Sequence, residues 1–176
     1  MISYVLGPAG CGKSAFAESL CEDGNYKRKY YIATMKVVDE ASGSRRDKHR
    51  GMREGKGFET LEIPYYIDEA PQLMADPGNC VVLLECVANL VGNAMHESEW
   101  DGRLRGTEGE VADDFCGSVI NRITLLAAQV GHLIVVSEEY GEDELSGCDD
   151  ETKVYAGLLH AVNSRLARIA DKVYKR

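Results

Sequence analysis

Eight consecutive residues near the N-terminus, Gly7, Pro8, Ala9, Gly10, Cys11, Gly12, Lys13 and Ser14, follow the spacing G-x-x-x-x-G-K-[ST]. That spacing suits phosphate binding for reasons that lie in each residue type. Glycines let the backbone turn tightly, so that its N–H groups converge on phosphate oxygens. A helix starting at the lysine adds the positive end of its dipole. Lys13 is placed to reach the β- and γ-phosphates of a nucleotide, and the Ser14 hydroxyl to ligate Mg2+. The context agrees, with the apolar run "ISYVL" before the loop and the helical pattern "KSAFAESLC" from Lys13 on. A glycine-rich turn that binds nothing is the plainer alternative. A magnesium nucleotide site also needs a carboxylate at the end of a neighbouring strand. Glu85, which closes the apolar run in "VVLLEC", has that position, although an acid can also end a strand by simply facing water.

A second stretch, "SRRDKHRGMR" at 44–53, surrounds His49 with cations. If it is helical, Arg45, His49 and Arg53 fall at i, i+4 and i+8 and share a face. A triphosphate along that face meets two guanidinium groups with an imidazole between them. Neighbouring cations favour the neutral imidazole, which can attack an α-phosphorus and form a phosphoramidate. Taken alone, such a charge run reads as a solvated helix face.

The elements that must carry these groups alternate along the chain. Apolar runs at Ile2–Leu6, Lys29–Ala33, Phe58–Leu61, Cys80–Glu85 and His132–Ser137 predict strands; the first, fourth and fifth are continuous, as in parallel strands covered on both faces. Between them, helical patterns span Lys13–Cys21, Val38–Arg53, Ile67–Met74, Ala88–His96 and Val111–Val130, and a final helix runs from about Thr152 to Ala170. This alternation predicts an α/β fold: a single doubly wound domain over 1–176, with a mainly parallel sheet and helices on both faces, of P-loop nucleotide-binding type.

Composition narrows the function. The 176 residues are 44% hydrophobic and 28% charged, ordinary for a globular protein, and no apolar run is long enough to span a bilayer. The N-terminus shows no export signal, which predicts a cytoplasmic protein. Its six cysteines form no C-x-x-C pair and read as reduced thiols, mostly in the core. A net charge of −9 argues against a nucleic-acid partner. Positive charge gathers between Lys27 and Lys56, which suits a small anionic ligand.

In order, "GPAGCGKS", "YIAT", "RRDKHRGMR", "FETLE", "VVLLEC", "VVSEEYG" and "VNSRLARIADKVY" cover nearly the whole chain. This series resembles the bifunctional adenosylcobinamide kinase/adenosylcobinamide-phosphate guanylyltransferase family of cobalamin biosynthesis. Only the P-loop is generic; "YIAT", a histidine fifteen residues beyond Thr34, and "LLEC" are specific in combination. The resemblance implies a transferase that phosphorylates the aminopropanol hydroxyl of adenosylcobinamide with ATP or GTP. It then transfers GMP from GTP to the new phosphate through a guanylylated histidine, here His49, with Mg2+ present. By the same resemblance, Gly7 to Ser14 hold phosphates, and Thr34, Met35 and Lys36 follow the second strand into the nucleotide site. Arg50, Gly51, Met52 and Arg53 lie beside the guanylylated residue, and Glu62 and Glu85 complete nucleotide and magnesium contacts. The family forms homotrimers. Two other functional classes fit the same residues: a P-loop small-molecule kinase in which His49 only touches phosphate, and a nucleotide-binding regulatory module with weakened chemistry.

Some features depart from the family pattern. After "SEEYG" the chain continues "GEDELSGCDDET", acidic and without proline, which predicts a solvated, disordered loop. The chain ends at "DKVYKR" where relatives continue through a further strand, so either the sheet lacks an edge strand or a C-terminal tail is missing. "GKG" at 55–57 reads as a one-residue insertion. His96, His132 and His160 have no metal-ligand spacing and are assigned surface or capping roles. Tyr30, Tyr31, Tyr65 and Tyr66 read as half-buried packing, with a corrinoid-facing role as the alternative.

Overall fold

The computed structural model describes residues 1–36, 51, 55–104, 109–141 and 145–176. The expected helix at Val38–Arg53 therefore lies almost wholly outside the described residues, and with it Arg45, His49, Arg50, Met52 and Arg53. Six strands form one sheet: β1 (Ile2–Gly7), β2 (Arg28–Ala33), β3 (Phe58–Glu62), β4 (Cys80–Glu85), β5 (His132–Glu138) and β6 (Lys172–Lys175). The order across the sheet is β3-β2-β4-β5-β1-β6, and every neighbouring pair is parallel. Four helices are described: α1 (Lys13–Leu20), α2 (Val87–Met95), α3 (Glu110–Gln129) and α4 (Asp150–Ile169).

The continuous apolar runs explain the central strands. Along β4 and β5 alternate residues point to opposite faces and both sets are buried. Val82, Leu84, Leu133 and Val135 join α2, α3 and α4 in the larger core, while Val81, Leu83, Ile134 and Val136 face α1 with Ala17 and Cys21. Each such Val, Leu or Ile contributes about 1.5–3 kcal/mol through burial. The fold is thus the doubly wound α/β arrangement that the sequence predicts, with helices on both faces.

Three expectations about the elements need correction. The sheet keeps an edge strand: β6 pairs with β1 from Ser3↔Lys172 to Leu6↔Lys175. Its sequence KVYK is mostly exposed, and lysines on an edge discourage pairing with another chain. The segment Ile67–Leu73 is a 3-10 helix with Pro71 inside it, because proline has no N–H for an α-helical bond. The final helix begins two residues early, where Asp149 caps it by accepting from the Thr152 N–H at 2.7 Å. The last third of the acidic stretch expected as loop, Asp149 to Thr152, is therefore cap and first turn; residues 142–144 lie outside the described set.

None of the six cysteines is in a disulfide, as expected; Cys21, Cys80 and Cys116 are buried, while Cys11, Cys86 and Cys148 are half-buried. His96 caps α2 and His160 is exposed on α4, as expected. His132 is not a surface residue. It is buried at the start of β5, with Nε2 2.9 Å from Ser3 Oγ. Tyr30, Tyr31 and Tyr65 are buried, and Tyr66 is exposed. Among the described residues, no helix is long and apolar enough to cross a membrane.

Candidate functional site

An all-parallel sheet places every strand's carboxyl end on one edge, where open α/β folds bind ligands. Here that edge gathers the P-loop after β1, Thr34 after β2, Glu62 closing β3, Glu85 closing β4 and Glu138 closing β5. These residues, scattered from 7 to 138 in the sequence, become neighbours through pairing alone. Register sets Gly7 opposite Glu138, Ala33 opposite both Glu62 and Glu85, and Glu85 opposite Val136.

The loop has the backbone its chemistry requires. Gly10 and Gly12 adopt φ of 73° and 83°, in the left-handed region, and no atom stands within 4 Å of where a Cβ would be at either. Side chains are disfavoured there by backbone conformation rather than by crowding. Gly12 leads into α1 with no side-chain cap, so the helix's first N–H groups are left for a ligand. Pro8, Ala9, Gly10 and Gly12 are exposed, and Cys11 is half-buried.

Lys13 is only 6% exposed. Its ammonium donates to the Pro8 carbonyl at 2.9 Å and to Glu138 Oε1 at 3.2 Å. A buried lysine needs such partners, and both face the loop. Ser14, one residue on, donates its hydroxyl to Glu85 Oε1, and Tyr31 donates its phenol to Glu85 Oε2 at 3.0 Å. The two residues assigned to the metal are therefore in direct contact. Hydroxyl and carboxylate oxygens are the hard donors Mg2+ prefers, and a protein pair is what that ion uses when phosphates and water complete its shell. The residues present fit the ion.

Thr34 is brought to this edge but is closed to a ligand. Its hydroxyl donates to the Cys86 carbonyl and accepts from the Cys86 N–H, both at 2.8 Å. Its own carbonyl accepts from Asn93 Nδ2 at 2.7 Å. Thr34 thus ties the end of β2 to the start of α2. Met35 is half-buried, while Lys36 and Glu62 are exposed. Those last two line a cleft of about 340 Å³ with Ile63, Pro64 and Tyr66. Burial pushes the thiol of Cys86, beside Glu85, up to about 12. Gly51 is helical and exposed, and Arg45, His49, Arg50, Met52 and Arg53 lie outside the described residues.

Glu138 and Asn163 escaped the sequence reading, and Tyr31 was read there only as packing or a corrinoid contact. Asn163 on α4 accepts from Tyr4 OH at 2.8 Å and Ser137 Oγ at 2.7 Å, and donates to the Glu138 carbonyl at 2.8 Å. A readable signal existed for Glu138, since it ends an apolar parallel strand just as Glu85 does. Tyr31 and Asn163 carried no such mark; their roles depend on which strands become neighbours.

Comparisons with known proteins bear on the same residues. The family described as cobinamide kinase / cobinamide phosphate guanyltransferase matches residues 3–175. No curated protein matches the chain significantly. Among solved structures, the flagellar accessory protein FlaH from Methanocaldococcus jannaschii is similar at 13% identity and a TM-score of 0.40. That match covers 82% of this chain, which spans 65% of the FlaH chain's length. The family match runs from within β1 into β6 and takes in the loop, Glu85 and Glu138. This chain belongs to the cobinamide kinase / cobinamide phosphate guanyltransferase family.

Proposed function

We propose that this chain carries out two successive steps of cobalamin biosynthesis. It phosphorylates the aminopropanol hydroxyl of adenosylcobinamide with a nucleoside triphosphate, then transfers GMP from GTP to the resulting phosphate through a guanylyl-histidine at His49, with pyrophosphate released as the histidine is guanylylated. The observation that supports this most is the pairing of Ser14 with Glu85 beside the buried Lys13, in a member of a family described by both activities.

In the first step the exposed loop N–H groups and the start of α1 bind the phosphates, and Lys13 exchanges Glu138 for β- and γ-oxygens. Ser14 and Glu85 would hold Mg2+, which supplies positive charge to the phosphates. The fixed positive groups of the loop act on the charge that develops on the transferred group. In the second step Arg45 and Arg53 would flank His49, keep its imidazole neutral and orient the α-phosphate. Arg50, Gly51 and Met52 would line the same approach, and Met35, Lys36 and Glu62 would contact the nucleotide from the ends of β2 and β3. Thr34 would act at a distance, by fixing the turn from which Met35 and Lys36 project. The resemblance to the family adds a homotrimeric assembly, in which residues of neighbouring subunits complete each site.

The test is incubation with α-labelled GTP and Mg2+, followed by denaturation. The expected result is a protein-bound label that is acid-labile and alkali-stable, and absent from His49→Ala. Turnover of cobinamide to its phosphate with no such label would reduce the function to that of a kinase, and nucleotide binding with neither would reduce it to a regulatory module.

A further inference from the structure

We propose that Glu138 is the general base of the phosphoryl-transfer step, taking the proton from the acceptor hydroxyl; this rests on the kinase activity proposed above. Its position comes first. Glu138 ends β5, the strand between β1, which carries the phosphate loop, and β4, which carries Glu85. Its register partner is Gly7, the first residue of that loop. The carboxylate touches Lys13 Nζ at 3.2 Å, so it lies one ammonium away from where β- and γ-oxygens would be held.

Glu85 and Glu138 are held differently. Both Glu85 oxygens are engaged by hydroxyls, from Ser14 and Tyr31, which commits that carboxylate to the metal side. Glu138 Oε1 is held by an ammonium that changes partner when phosphate arrives, and Oε2 by the Tyr140 hydroxyl at 3.2 Å. The Glu138 side chain keeps 28% of its surface exposed, so an acceptor can approach it. Tyr140 and Tyr155 both have phenols raised above their ordinary range, chiefly by burial, so neither competes with Glu138 as a base. The main chain at Glu138 is fixed by Asn163 Nδ2 on its carbonyl, and the next residue donates its N–H to the Gly7 carbonyl at 3.3 Å. A carboxylate on such a support has the rigidity a catalytic group requires.

The step balances without a further reactant. The acceptor oxygen forms a bond to the γ-phosphorus as its proton passes to a Glu138 oxygen. The bond from the γ-phosphorus to the β,γ-bridging oxygen breaks, and its electron pair leaves with the nucleoside diphosphate. Glu138 then returns the proton to solvent. Lys13, between the carboxylate and the phosphates, offsets their mutual repulsion.

The competing role is a counter-ion that only holds Lys13 until nucleotide binds. Nucleotide affinity and the kinase kcat separate the two for wild type, Glu138→Gln and Glu138→Asp. A base predicts a kcat loss of about 100-fold or more in Glu138→Gln, with nucleotide Kd unchanged or lower, and partial recovery in Glu138→Asp. Glu138→Gln with near wild-type kcat and tighter nucleotide binding would overturn the assignment and leave the kinase standing. Wild type that binds nucleotide yet never phosphorylates cobinamide would overturn both.

Discussion

The Ser14 hydroxyl donates a hydrogen bond to Glu85 across 71 residues of sequence, joining the first turn of α1 to the end of β4. Two groups that act on one ion should behave as a unit. Ser14→Ala and Glu85→Gln are each expected to lower the kinase kcat by about 100-fold at low magnesium, with part of the loss restored by raising the ion. The double variant should lose little more than either single one. A magnesium titration of all three checks this, and additive losses would separate the two residues.

Gly12, at φ 83°, should not tolerate a side chain. Gly12→Ala is expected to cost about 1–2 kcal/mol of stability. The larger effect should be on binding, since the strained residue sits where the loop meets α1. Titration with a nucleoside triphosphate should show Kd raised by about tenfold or more, a change of about 1.4 kcal/mol.

Asn163 joins Tyr4, Ser137 and the Glu138 carbonyl inside the core. Asn163→Leu removes one partner from two buried hydroxyls and from a carbonyl, at about 1–3 kcal/mol for each group that finds no other partner. Urea unfolding should show a loss on the order of 3 kcal/mol, with the slope unchanged.

His132 gives a pH dependence. Burial, then the nearby N-terminus and Lys172, hold its pKa below the ordinary 6.5, with Asp171 opposing. The folded imidazole therefore stays neutral where the unfolded one has begun to bind a proton. Its contribution is fully present above about pH 6.5 and is lost as pH falls from there toward the folded value, at up to about 1.4 kcal/mol per pH unit. Unfolding free energies between pH 7 and the onset of carboxylate titration, about pH 5, should slope less in His132→Asn. Parallel curves would contradict this.

Much of the fold was legible because buried parallel strands need uninterrupted apolar runs, and β1, β4 and β5 have them. β6 was not, because a four-residue edge strand of sequence KVYK has no such run and is defined by its partner β1. The site divides in the same way. Lys13, Ser14 and Glu85 could be read from local spacing and strand ends. The contact between Lys13 and Glu138 needs β5 to lie beside β1, and strand order is a property of the whole sheet. Thr34 was placed correctly at the end of β2, but its hydroxyl serves Cys86. His132 was misread because a histidine at a strand start looks exposed until the sheet buries it.

The most direct test follows all products formed from cobinamide, GTP and Mg2+. Wild type should form the phosphorylated and then the guanylylated corrinoid. His49→Ala should stop at the phosphate, and Lys13→Ala should form neither. A guanylylated product from His49→Ala, or full phosphorylation by Lys13→Ala, would contradict the account.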